Sequence, residues 1–153
     1  MENATPRVTT DWKILEMNTT QNFFELLGRV LLSALFLIAG LGKIGGYAAT
    51  QGYMEAMGVP GALLPLVIAL EVGGALAIIV GWRTRLIAFL LAGFSIVSAL
   101  VFHNALGDQV QFVMFMKNFA IAGAFLLLVA RGAGDWSLDA RRAASVAPLR
   151  DRP

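Results

Sequence analysis

Four apolar runs dominate this chain: Phe23–Gly42, Ala62–Gly81, Leu86–His103 and Phe112–Ala130. Each approaches the ~20 residues that a helix needs to cross a hydrocarbon core. Lipid offers no partner to an unpaired backbone amide, so runs of this kind cross it as helices. Composition agrees, because 58% of the residues are hydrophobic and only 14% charged, too little polar surface to clothe a water-soluble globule. The sequence predicts an all-α fold, an integral membrane four-helix bundle. Short connections argue for one transmembrane domain over residues 23–130, with a flexible cytoplasmic N-terminal extension over 1–22 and a basic cytoplasmic tail over 131–153. Met17 lies just before the first span, so residues 1–16 read either as a disordered extension or as the product of an overcalled start codon.

Charge sets the orientation. Arg7 and Lys13 precede the first run, Arg83 and Arg85 join the second to the third, and Arg131, Arg141, Arg142, Arg150 and Arg152 follow the fourth, whereas the opposite loops carry only Lys43. The positive-inside rule then places both termini in the cytoplasm. Trp12, Trp82 and Trp136 fall near that face, and Tyr47 and Tyr53 near the other, as interfacial aromatics do. The basic balance is thus topological. No basic patch is interleaved with aromatics, and the reading includes no nucleic-acid partner.

The first run lacks a basic leader and a clear small-residue cleavage site, so it is read as a retained span. Asn22 followed by Glu25 resembles a capping box at its start. The one long connection, Lys43–Gly61, spaces Tyr47, Gln51, Met54 and Met57 along one side of a helix. It predicts a short amphipathic helix in the first external loop, stopped by Gly58-Val59-Pro60-Gly61.

Ala69, Gly73, Ala77 and Gly81 recur at four-residue steps in the second run, a small-xxx-small ladder that admits a second backbone. Ionisable residues within the spans are the other signal. Counted from the outer ends at 1.5 Å per residue, Lys117 lies ~8 Å, Glu71 ~13 Å and Arg29 ~20 Å deep. An isolated charge there costs at least ~2.5 kcal/mol, which favours pairing or water access. Arg29, Glu71 and Lys117 are accordingly expected to connect in a ladder between helices closed at its cytoplasmic end by Glu25, the alternative being a structural ion pair of Arg29 with Glu25 or Glu71. Lys43, His103, Asn104, Lys117 and Asn118 collect near the outer surface, where with Glu71 they can ring a pocket. The alternative for Lys43, His103 and Asn104 is plain interfacial anchoring, and for Lys117 snorkelling to the surface.

Several chemistries are excluded. The chain has no cysteine and a single histidine, so it can build neither a dithiol relay, a cysteine-ligated cluster, nor a multi-histidine metal site. Its glycines form no phosphate-binding or dinucleotide fingerprint. No covalently bound cofactor is expected, and a redox role requires a diffusible quinone or a cofactor on a partner.

The order of certain residues resembles the DoxX family over about Glu25 to Asp139. Gly28-Arg29, Ala39-Gly40-Leu41-Gly42-Lys43, Gly58-Val59-Pro60, Glu71-Val72-Gly73-Gly74, Lys117-Asn118 with Ala122-Gly123, and Gly134-Asp135-Trp136-Ser137-Leu138-Asp139 carry the resemblance. Where the family often has Ser-Gly and Gly-Gly, this chain has Ala39-Gly40 and Ala122-Gly123, exchanges of small for small. The resemblance implies a multi-pass protein of the bacterial cytoplasmic (inner) membrane, from a family named after subunits of a thiosulfate:quinone oxidoreductase. Relatives in the family are linked to membrane redox complexes and to responses to oxidative stress, and the resemblance assigns interest to Arg29, Lys43, Glu71, Lys117 and Asn118. Covalent sulfur transfer through cysteine is closed to this chain.

Two functions follow as expectations. One is a quinone or small-anion site, with Lys117 and Asn118 as donors, Lys43 and His103 at its entrance and Glu71 as a buried proton acceptor, serving quinone-linked redox metabolism. The other is a noncatalytic accessory or assembly subunit whose Ala69-Gly73-Ala77-Gly81 face docks a second copy or a larger membrane redox complex. A small-solute carrier formed by oligomerisation is a weaker third.

Overall fold

The computed structural model describes residues 8–146, with side chains from Thr19 onward. Four helices are long and apolar enough to cross a membrane: Thr19–Gly45, Gly61–Val80, Thr84–Phe102 and Gln109–Arg131. They match the four expected spans to within a few residues at each end.

The first helix, α1, runs unbroken over Val8–Gly45. The sequence reading instead starts it at an Asn22 cap and makes 1–22 a flexible extension. No glycine or proline stands between Val8 and Leu27, so nothing interrupts the helix. Gln21 Nε2 accordingly donates to Glu25 Oε1 one turn on, at 2.9 Å. Residues 1–7 and 147–153, which belong to the expected extension and tail, lie outside the described residues.

The expected loop helix is present as α2, Tyr47–Ala56. Gly58, at φ +76°, ends it, with Val59 N–H reaching Met54 O at 2.9 Å and Gly58 N–H reaching Glu55 O at 3.0 Å. Those two bonds form the glycine-closed helix end that satisfies orphan carbonyls. Its buried residue is Met54, with Thr50 and Gln51 half-buried, while Tyr47 and Met57 remain exposed.

The second span, α3, covers Gly61–Val80 and is not a uniform helix. It opens as a 3-10 turn over Gly61–Leu63, becomes α-helical, and widens to a π-helical turn over Ala69–Gly73 before resuming. Gly81, at φ +70°, closes it, Trp82 N–H bonding Ala77 O at 2.8 Å. The π turn shifts the register, and the small-residue ladder therefore does not keep one face. Ala69 and Gly73 are exposed, whereas Ala77 and Gly81 are buried inside the bundle.

The remaining helices are α4, Thr84–Phe102, α5, Gln109–Arg131, and α6, Leu138–Val146. Asp108 caps α5 by accepting from Gln111 N–H at 2.9 Å. The spans run up and down, leaving α2 at one end (the loop end) and α6 at the other (the terminal end).

The core draws on every span: Phe36, Ala75, Ile78, Ala88, Leu91, Ala92, Ala122 and Phe125. Phe36 meets Phe125 edge-on at 5.4 Å. Small alanines let the helices approach, and the large residues Leu31, Ile38, Leu66, Phe89, Leu100 and Leu127 are exposed on the outside. That arrangement suits lipid, where exposed apolar surface carries no penalty and packing is driven by close contact.

Candidate functional site

Glu71 sits in the π turn of α3, where the wider winding sets its side chain against α1. Such single wide turns recur at functional sites. Gly40 makes the approach possible: a Cβ there would meet Val72 Cγ2 at 2.7 Å and Glu71 Cβ at 3.1 Å. Three residues further along α1, Lys43 Nζ donates to Glu71 Oε1 at 2.8 Å and stands 2.8 Å from Oε2. Lys43 is one-quarter exposed and Glu71 only 4%. Each charge offsets the other's desolvation, and the buried Oε2 has the Lys43 ammonium as its partner.

The pair opens onto a cavity of about 360 Å³ at the loop end. Its walls are mainly apolar, from Met54, Val67, Phe94, Val97 and Phe102, with Thr50, Tyr53, Ser98 and His103 as further polar groups. Tyr53 of α2 stacks on Phe102 of α4 at 5.5 Å and roofs one side. His103 Nδ1 is 2.8 Å from Gln111 Oε1, which orients the imidazole from the start of α5. The cavity thus offers a neutral ion pair, an imidazole and hydroxyls around an apolar slot, features typical of small-molecule sites.

Of the outer-surface residues read from the sequence, Lys43, Glu71 and His103 come together here. Asn104, Lys117 and Asn118 do not line this cavity. Asn104 is exposed in the turn after α4 and Lys117 is exposed on α5. Asn118 spends its amide on Met114 O, four residues back, at 2.9 Å. The expected ladder through Arg29, Glu71 and Lys117 is replaced by two separate polar clusters at opposite ends. Lys43, read as standing at the outer end of its run, meets the deeper Glu71 because the ends of α1 and α3 are not level. Lys43 is two residues from the end of α1 and Glu71 ten residues into α3, a difference of ~12 Å of rise.

At the terminal end, Arg29 is buried and forms no salt bridge with Glu25 or Glu71. Its Nη1 donates to Ile78 O at 3.3 Å and Ile79 O at 3.2 Å, and Nη2 donates to Trp136 O at 2.6 Å. A guanidinium at the carbonyl end of a helix is favourably placed against its dipole. Asp139 completes the closure by accepting from Arg83 N–H and Thr84 N–H, both at 2.8 Å, while its own N–H reaches Gly81 O at 2.9 Å. Burial alone pushes the Asp139 carboxyl up, but hydrogen bonding from Thr84 and Arg83 and the charge of Arg142 outweigh it and hold the pKa below its ordinary value. The Glu25 carboxylate lies against Gly134, which adopts φ +76°. No group of three or more His, Cys, Asp or Glu is placed to hold a metal among the described residues.

Sequence reasoning missed the π turn, Gly40 as the point of close approach, and the contributions of Thr50, Tyr53 and Ser98. Gly40 stands beside Lys43 in a recognisable run. The π turn has no comparable signal, since Ala69-Leu70-Glu71-Val72-Gly73 fits an ordinary helix.

Four spanning helices around a buried ion pair define an all-α multi-pass membrane protein. The chain belongs to the DoxX family, whose model matches residues 24–104. It is 54% identical over 123 residues to the inner membrane protein YqjF of Escherichia coli (strain K12), covering 80% of this chain and 95% of that protein. It is also 37% identical over 123 residues to the inner membrane protein YphA of the same organism, covering 76% and 88% respectively. No solved structure matches the chain.

Proposed function

We propose that this DoxX-family protein is a bacterial inner-membrane protein, with both termini cytoplasmic, that binds a quinone in the cavity beneath α2 and so contributes to quinone-linked redox metabolism. The observation that carries the reading is the Lys43–Glu71 pair lining an otherwise apolar cavity. Glu71 already neutralises Lys43, which disfavours a free anion and favours a neutral, lipophilic ligand with carbonyl groups. Lys43 Nζ, one-quarter exposed, retains an N–H donor for a carbonyl oxygen, and Tyr53 and His103 add hydrogen-bonding groups to the same cavity. A bound quinone supplies two-electron, two-proton chemistry that this cysteine-free chain lacks. The names of the two relatives support the inner-membrane location, and the loop charges support the orientation.

The test is titration of purified protein in detergent with a short-chain benzoquinone, read by quenching of tyrosine and tryptophan fluorescence. Saturable binding is expected for the native chain. Lys43→Met/Glu71→Met removes both charges together and keeps the packing volume. Unchanged affinity in that folded variant overturns the reading.

A second reading, the accessory subunit, rests on Gly73. An added Cβ there would meet no atom within 4 Å, and Gly73 lies exposed beside Ala69. This part of α3 is smooth enough to seat another helix.

A further inference from the structure

The terminal end carries a second hollow, of about 570 Å³, between the α3–α4 turn and the segment 132–140. Arg83 and Arg85 form one wall, Gly132 and Ser137 the other, and the exposed side chain of Leu86 borders it toward α4. We propose that this hollow seats the phosphate of an anionic phospholipid, with an acyl chain descending along Leu86.

Charge is the first argument. The sole salt bridge among the described residues is Lys43–Glu71, at the opposite end. Arg83, Arg85, Arg131, Arg141 and Arg142 therefore share the terminal end with no described carboxylate in bridging distance, although the charge of Arg142 acts on Asp139. Asp139, the acid that borders the hollow, has its oxygens engaged by the Arg83 and Thr84 backbone. Among the described residues the Arg83 and Arg85 guanidiniums thus have no acid partner.

Shape is the second argument. Arg85 lies along the loop, its Nε 3.6 Å from where a Gly132 Cβ would stand, and Gly132 has φ +86°. Arg83 is fixed at φ +45°, a left-handed conformation unusual for arginine, by the Asp139 carboxylate on its N–H. Its guanidinium carbon lies 5.7 Å from the Trp82 ring. Trp82, Leu138, Arg141 and Arg142 border an adjoining hollow of about 430 Å³. Cations at the mouth of an apolar wall, flanked by exposed Trp82 and Trp136, match a lipid headgroup with its chain. A free phosphate would use only the cations. Basic pockets between helices on the cytoplasmic side bind anionic headgroups, so the choice of leaflet rests on the orientation proposed above. The recognition itself does not depend on the quinone site.

Native mass spectrometry of the full chain in mild detergent, supplied with equal phosphatidylglycerol and phosphatidylcholine of matched acyl chains, tests the proposal. The native protein is expected to retain phosphatidylglycerol preferentially. Arg83→Gln/Arg85→Gln should lose that preference by on the order of tenfold or more, the two cations acting together. Arg85→Gln alone, which alters an exposed side chain, serves if the double variant does not fold, and should lose part of it. Equal retention of the two lipids by the native protein, or an undiminished preference in the folded variant, overturns the proposal. Displacement of phosphatidylglycerol by millimolar inorganic phosphate overturns it in favour of a free-phosphate site. Quinone titration of the same variant should be unchanged, which separates this failure from failure of the quinone reading.

Discussion

Gly40 and Glu71 approach so closely that a methyl group on the glycine would stand 3.1 Å from Glu71 Cβ and 2.7 Å from the Val72 side chain. That contact joins α1 to the π turn of α3 and brings Lys43, one turn away, within reach of the carboxylate. Gly40→Ala is expected to force the two helices apart, with a cost in the ~1 to 3 kcal/mol range of overpacked interiors. Thermal unfolding in detergent measures it, and an unchanged midpoint contradicts the close approach.

The ion pair makes an asymmetric prediction. Lys43→Met leaves a buried Glu71 carboxylate unpartnered, which costs about 3 kcal/mol, the low end for broken buried pairs because Lys43 is partly exposed. Lys43→Met/Glu71→Met should recover much of that loss. A double-mutant cycle on unfolding free energy detects the coupling, and strictly additive effects argue that the pair is energetically idle.

Arg29 holds the terminal segment to α3 through the carbonyls of Ile78, Ile79 and Trp136. Arg29→Met removes all three bonds, so amide hydrogen exchange over residues 134–140 should rise while that around Met54 stays near native. Uniform exchange across both ends refutes this local role.

Asp139 gives the terminal end a pH dependence. Its folded pKa is depressed, so its contribution is complete above the ordinary aspartate value and is lost as pH falls through the folded value, below about pH 4. Asp139→Ala should flatten stability over that acidic window and cost ~1 kcal/mol at neutral pH, as other lost helix caps do. A variant retaining the native acid dependence assigns it elsewhere.

Gly73 and Ala77 look equivalent in the sequence, yet their substitutions should diverge. Gly73→Leu meets no neighbour within the protomer and is expected to leave monomer stability within ~0.5 kcal/mol, as surface changes do. Ala77→Leu enters the packed interior and should destabilise by ~1 to 3 kcal/mol. Cross-linking in membranes then asks whether Gly73→Leu weakens association; unaltered association removes the motive for the accessory-subunit reading.

Long apolar runs, the helical spacing of the first loop and the Gly58 stop were enough to establish from the sequence four spanning helices and a helix across the first loop, and the order of short motifs a DoxX resemblance. Those signals are local, since a span needs only its own length and hydrophobicity to be committed to lipid. Partnership between buried charges was not local. Lys43 was legible as a pocket residue and Glu71 as a buried acid, but their union depends on the unequal levels of α1 and α3, the π turn, and the space left by Gly40. Arg29 showed the same limit: burial demanded partners, and only the folded chain revealed them as the carbonyls of Ile78, Ile79 and Trp136. Side chains meet according to helix offset and rotation, quantities set by packing among all four spans, which no single segment encodes.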